Sequence, residues 1–302
     1  MTRTTWQRWG WVVRWGGTAL GIAYVARLID PEDVRRAAAR ISLAAIAAAI
    51  GLVALNVVCG ALRWRALLAA YGAESRPNVA RATALYFGSF FYNNYLPGAV
   101  AGDVVRGVVT REVFGARGAT AGLAVVLVER ALGLAAVFAL LAGGLAATAG
   151  AIDPGALWWW AALGVPGSLA IVLALPVARR IAPRLPRRLR AIAERVPALS
   201  NPGGFVAAAA WSVATQLCVA LAGWILLRAI DPSVGLGAAL LIVPLAAATA
   251  FVPITVGGAG AREAVYVTLG ASLFAMPRGD ALAASLALWL AHLVVGAIGG
   301  AI

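Results

Sequence analysis

Two arginines stand where apolar sequence ordinarily excludes charge. Pro97, Gly102 and Arg106 recur as Pro253, Gly258 and Arg262, so that P-x4-G-x3-R appears twice, each time at the end of a long apolar stretch. A guanidinium grips phosphate or carboxylate through two parallel hydrogen bonds. Gly/Pro-broken segments in corresponding places of two halves mark a binding site where repeats meet in a membrane transporter. In both copies the break precedes a short predicted helix, 103–110 and 261–269, whose free N–H groups and positive dipole end face the break. Gly98, Gly102, Gly257 and Gly258 serve equally well as packing devices. Their recurrence at one offset from an arginine favours an anion site, and a fortuitous three-residue match is the bland alternative.

One more charged pair, Glu129 and Arg130, lies about ten residues into an apolar run, at a depth of roughly 15 Å at 1.5 Å per residue. Each charge there costs on the order of 3 kcal/mol, so such residues pair or line a polar pathway. Neighbours on a helix diverge by about 100°, so these two cannot satisfy one another; their partners must come from elsewhere, and the broken segments are the obvious candidates. Asp103, Glu129 and Glu263 against Arg106, Arg130 and Arg262 sum to zero charge. Two readings stand: salt bridges that tie helices together, or pairs that open to take a headgroup. Asn93 and Asn94 either cap the first break or touch the ligand. His292, alone in the last apolar run, receives no role. Cys59 and Cys218 lack metal-ligand or disulfide spacing and read as packing residues. Neither a metal nor another cofactor is expected, and no nucleophile, base and orienting group converge, so the chain is expected not to be an enzyme.

The elements that must position these residues follow from composition. Hydrophobic residues make up 62% of 302 residues, in several runs long enough to cross a bilayer. The net charge of +13 comes from arginines in short loops between spans, where the positive-inside rule accounts for them and nucleic acid is not implied. The expected architecture is an all-α polytopic membrane protein in a single unit, 1–302. It has about six full spans (11–28, 41–62, 119–149, 157–175, 205–227, 281–302) and two re-entrant broken hairpins (82–110 and 236–270). The segment 30–40 reads as a loop of mixed charge. Half-repeats of approximately 41–118 and 203–276 are then inverted. The segment 179–195 carries seven arginines and one acid, which places it and both termini in the cytoplasm. The first span reads as retained rather than cleaved, and no stretch is long enough for a separate catalytic domain.

The run Asn93-Asn94-Tyr95-Leu96-Pro97-Gly98 with Gly102-Asp103 and Arg106, the pair Glu129-Arg130, and PITVGGAGARE from Pro253 to Glu263 together resemble the signatures of the lysylphosphatidylglycerol synthase transmembrane-region family. In its bifunctional members, the multiple peptide resistance factors, this region is regarded as a flippase for aminoacylated phosphatidylglycerol, while a soluble domain makes the lipid. The sequence shows no such domain. The resemblance implies a flippase or scramblase of the inner (cytoplasmic) membrane whose partners are the bilayer and a lipid with a phosphate-bearing headgroup. Phospholipid, aminoacyl lipid, glycolipid and polyprenyl-phosphate carrier all remain open. A homo-oligomer or a partner lipid-modifying enzyme is compatible with it. The alternative is a scaffold or accessory subunit for such an enzyme or for a glycosyltransferase.

Overall fold

Long runs of Ala, Leu and Val broken by Gly, Pro and Asn favour helices with sharp ends, and the protein is built from them. The computed structural model describes residues 3–96, 101–153, 155–187, 190, 193–251, 255 and 258–302. Eleven α-helices and no strand are found among the described residues: α1 (Arg3–Leu28), α2 (Pro31–Ala38), α3 (Leu43–Ala70), α4 (Val79–Tyr95), α5 (Ala101–Val109), α6 (Gly118–Ala147), α7 (Leu157–Ile181), α8 (Pro202–Ile230), α9 (Leu236–Ala248), α10 (Ala261–Phe274) and α11 (Arg278–Ala301). Side-chain oxygens accept from free N–H groups at several starts: Ser42 from Ala45 on α3, Asn78 from Arg81 on α4 and Asn201 from Gly204 on α8.

Five helices, α3, α6, α7 with its 3-10 extension to Arg184, α8 and α11, are long and apolar enough to cross a membrane. The protein is therefore an all-α polytopic membrane protein. The 26-residue α1 matches them in length, but four arginines and four tryptophans hold its hydropathy lower. Three expectations need correcting. The segment 30–40 holds a helix, because Asp30 caps it, Pro31 begins it and Glu32–Arg35 and Asp33–Arg36 pair along it at 2.6 Å. The second span does not stop at residue 62; α3 continues for two more turns. The helix expected at 157–175 runs on to Ile181.

Contacts sort the connecting segments into two ends. At one end the Ala70 carbonyl accepts from the Ser200 and Asn201 N–H groups, and Val113 accepts from Glu74 at 2.9 Å. At the other, Arg40 donates to the Ile230 carbonyl at 3.2 Å and pairs with Asp280, while Gly237 packs on Thr148 and Gly279 on Asp33. The 28 residues of α3, about 42 Å of helix, separate the two ends. Both feet of the α4–α5 hairpin lie at the first end. Both feet of the α9–α10 hairpin lie at the second.

The order long helix, broken pair, long helix thus occurs twice, as α3–α4–α5–α6 and α8–α9–α10–α11. Its packing is reciprocal: α3 lies on α8, α6 lies on α9 of the other set, and α11 lies on α4. The largest apolar cluster, including Val53, Val57, Leu226, Ile242 and Leu288, sits where these helices meet. Pro97, Gly98, Pro253 and Gly257 lie outside the described residues. The flanking helix ends bracket the breaks between Tyr95 and Ala101 and, beyond a 3-10 turn at Thr249–Phe251, before Ala261.

Candidate functional site

The first break is held by its own polar side chains. Asn93, near the end of α4, accepts from the Gly102 N–H at 2.9 Å and donates to Asp103 Oδ1 at 3.4 Å, so it caps α5. Ser89 donates to the same oxygen at 3.3 Å. Glycine is required at 102 because a Cβ there would lie 1.9 Å from the Ser89 carbonyl oxygen. The short α5 then presents Asp103 and Arg106, three residues apart, on one face toward α6.

On α6 the adjacent Glu129 and Arg130 point to different partners, as helix geometry demands. Arg130 donates to Asp103 Oδ2 through Nε at 3.0 Å and Nη2 at 2.7 Å. Glu129 accepts from Arg106 Nη2 at 2.5 Å, from Arg63 Nη2 at 2.9 Å and from the Tyr86 hydroxyl at 2.8 Å. Arg63 also donates to the Tyr86 oxygen at 2.8 Å and to Thr215 Oγ1 at 3.4 Å. Arg106 reaches Asp103 at 3.4 Å, and its guanidinium lies 4.4 Å from the Tyr86 ring centre and 5.0 Å from that of Trp64. Glu129 and Arg106 are each only 2% exposed.

Among the described residues this network holds three arginines and two carboxylates, a surplus of one positive charge. The surplus sits with Arg106. Without it, Arg63 would still pair with Glu129 and Arg130 with Asp103. Its Nε and Nη1 are buried and make no hydrogen bond, a costly state unless an acceptor arrives. Arg106 also borders a cavity of about 360 Å³ that reaches Ser89, Arg81 and Ile302 at the first end.

The second break is arranged differently. Glu263 reaches back to accept from the Gly260 N–H at 2.7 Å, and its other oxygen accepts from Arg262 Nε at 2.9 Å and from Nη2. Gly260 has φ +81° and a Cβ there would meet α1 at Gly21, 2.9 Å away, so only glycine serves. The Arg262 guanidinium is 5.7 Å from the Trp289 ring centre. His292 donates through Nδ1 to the Leu288 carbonyl at 2.8 Å and stacks on Phe90.

The sequence-derived set therefore divides. Asn93, Gly102, Asp103, Arg106, Glu129 and Arg130 come together, while Arg262 and Glu263 form a separate pair near Gly258. Asn94 donates to the Phe90 carbonyl at 2.8 Å and lines the cavity beside Arg262. Three expectations are overturned. The six charges do not form one neutral cluster, because Arg63 joins the first group and Arg262 and Glu263 stay outside it. The rule that sequence neighbours cannot pair fails at Arg262–Glu263, since in a first helical turn the glutamate swings back to the cap and a long arginine follows it. Arg106 and Arg262 line different cavities rather than one. Reasoning from sequence also missed Arg63 and Tyr86. Buried positions at Val53, Val57 and Gly60 lead by steps of three and four to Arg63, Trp64 and Leu67, a spacing that turns Arg63 inward.

No group of three or more potential metal ligands occurs among the described residues. A family model described as "Lysylphosphatidylglycerol synthase TM region" matches residues 11–300. A search of curated proteins returns no match to the chain.

Proposed function

The chain belongs to the lysylphosphatidylglycerol synthase transmembrane-region family, and from that premise we propose that it is a non-enzymatic lipid transporter, a flippase or scramblase for a phosphate-bearing lipid. The observation that carries this reading is the surplus cation: Arg106, 2% exposed, with two guanidinium N–H positions unpartnered beside a cavity. A phosphate oxygen supplies the missing acceptor and the missing charge together. Asp103, Glu129 and Arg130 set the position of Arg106, and Asn93 and Gly102 set the position of the helix that carries it. Hairpins whose feet lie at opposite ends support an inverted repeat with two re-entrant elements, the arrangement in which a site near the midplane opens to either side in turn. With the arginine-rich segment 179–195 in the cytoplasm, both termini are cytoplasmic and the membrane is the inner one. No nucleotide-binding motif occurs in the sequence, so a gradient or mass action drives movement.

A second reading has one observation in its favour. Asp103 and Glu129 are each held by two arginines, as a scaffold for a lipid-modifying enzyme would require. Purified protein in vesicles with fluorescent-headgroup lipids, bleached from outside by dithionite, separates the two. Transport predicts that inner-leaflet lipid becomes bleachable for at least one phosphate-bearing headgroup. Protection of the inner leaflet across phospholipid, aminoacyl-lipid, glycolipid and polyprenyl-phosphate probes would leave the scaffold.

A further inference from the structure

Arg106 and Arg262 are 156 residues apart, as are Gly102 and Gly258. Shifted by that interval, α3, α4, α5 and α6 fall close to α8, α9 with its 3-10 turn, α10 and α11. The shift shows what replaces the ionic network in the second half. Arg63, Phe90, Phe91, Asn94 and Glu129 correspond to Val219, Ala246, Ala247, Ala250 and Ser285, each a smaller residue. At these five places the second half is less filled, while Gly133 and Ala136 of the first half have the larger Trp289 and His292 as counterparts. A cavity of about 210 Å³ lies there, bordered by Val219, Ala246, Ala247, Ala250 and Arg262, the counterpart of Arg106. Tyr266 also borders it and is fully buried, with a hydroxyl that has no hydrogen-bond partner.

A second cavity, of about 330 Å³, adjoins it and shares Arg262 and Trp289. Its walls are Ile22 and Val25 of α1 and Leu282 and Leu286 of α11, and its polar groups come from the Arg262–Glu263 end of α10. A cation and an indole thus stand between a chamber with a buried, unsatisfied hydroxyl and an apolar slot. That is the shape of an amphiphile: one charged group with a hydrocarbon chain leading away from it.

We propose that the second half holds its own lipid site, with the phosphate of a phosphate-bearing lipid on Arg262, the headgroup toward Tyr266 and an acyl chain in the slot between α1 and α11. Binding exchanges one partner of Arg262: the phosphate replaces Glu263 Oε1, while Glu263 Oε2 keeps the Gly260 N–H. Trp289 remains against the guanidinium and so reports on the chain beside it. This assignment rests on the lipid-handling reading given above, but it concerns equilibrium binding and is tested without transport.

The test uses the full chain in detergent micelles, titrated with phosphatidylglycerol brominated on its acyl chains. Bromine quenches nearby tryptophan, and W289F subtracts the other ten indoles. The expected result is saturable quenching assigned to Trp289, weakened about tenfold or more by A247F, which restores at that position the residue of the first half. Thermal unfolding of A247F shows that the variant is folded. R262Q, which leaves the cavity open, gives the same weakening. Quenching that is unaffected by A247F and R262Q would overturn the site. Full competition by glycerol 1-phosphate at the concentration of the lipid would overturn the chain slot and leave a soluble phosphate as ligand. If quenching behaves as expected and vesicles show no lipid movement, the binding site stands and the transport reading fails. If lipid moves and quenching is non-specific, the reverse holds.

Discussion

Replacing Glu129 by glutamine removes one charge and almost no volume. In the protein that carboxylate is 3% exposed at its side chain and faces Arg106 at 2.5 Å and Arg63 at 2.9 Å. At an effective dielectric of about 20, a single pair at 2.9 Å attracts by roughly 6 kcal/mol. Much of that offsets the desolvation of both ions. The change nevertheless leaves Arg63 without a counter-ion, with only the neutral Tyr86 and Thr215 hydroxyls and an amide oxygen as acceptors, and two like charges approach across that amide. Loss of one partner from a buried pair costs about 3–5 kcal/mol, and E129Q is expected to lose that amount. The double variant E129Q/R106Q removes the cation left behind as well. It should recover about 1–3 kcal/mol relative to the sum of the single changes. Reversible unfolding in detergent, followed by tryptophan fluorescence, measures both quantities. Unfolding of E129Q within about 1 kcal/mol of the parent would refute the network as the element that holds α3, α5 and α6 together.

Cysteine placed at Asp153 should react with an impermeant maleimide added outside intact cells, and cysteine at Arg184 should not; the reverse pattern would invert the orientation and the side from which each hairpin enters. G102A drives a methyl group into the Ser89 carbonyl, 1.9 Å away in the present geometry. It should cost about 1–3 kcal/mol as α4 and α5 are pushed apart, with lipid movement falling alongside, and a fully active, equally stable G102A would show that the close approach is dispensable.

The positions of the breaks were legible in the sequence because Gly and Pro act locally. The short helices after each break begin within a few residues of where the P-x4-G-x3-R spacing puts them, whereas the close approaches of Gly102 to Ser89 and of Gly260 to Gly21 are tertiary and have no local signal. Glu129 and Arg130 were also legible, since a charge deep in an apolar run demands a partner and the 100° turn separates the two partners in space. Arg63 was hidden by an equally physical rule. An arginine near the end of an apolar run reads as a boundary under the positive-inside rule, and only the three-and-four spacing through Trp64 and Leu67 marks it as inward. Tyr86 carries no charge, and its place in the network depends on packing between α4 and α6 that no local pattern specifies. The pairing of Arg262 with Glu263 depends on backbone at a helix start, where interior helix geometry does not apply. The cavity of the second half is visible in sequence only once the interval of 156 residues is applied and small residues are seen to stand where large ones stand in the first half.

The central claim is that Arg106, the surplus cation of the buried network, takes the phosphate of the transported lipid. R106Q tests it most directly because both carboxylates keep an arginine, Arg63 on Glu129 at 2.9 Å and Arg130 on Asp103 at 2.7 Å. The measurement is the initial rate of lipid movement in the dithionite assay for R106Q and the parent protein, reconstituted at equal density, alongside their unfolding in detergent. The account predicts a rate at least about tenfold lower, with stability within about 1 kcal/mol of the parent. An unchanged rate, or a loss of about 3–5 kcal/mol like that expected of E129Q, would contradict it by making Arg106 a structural tie.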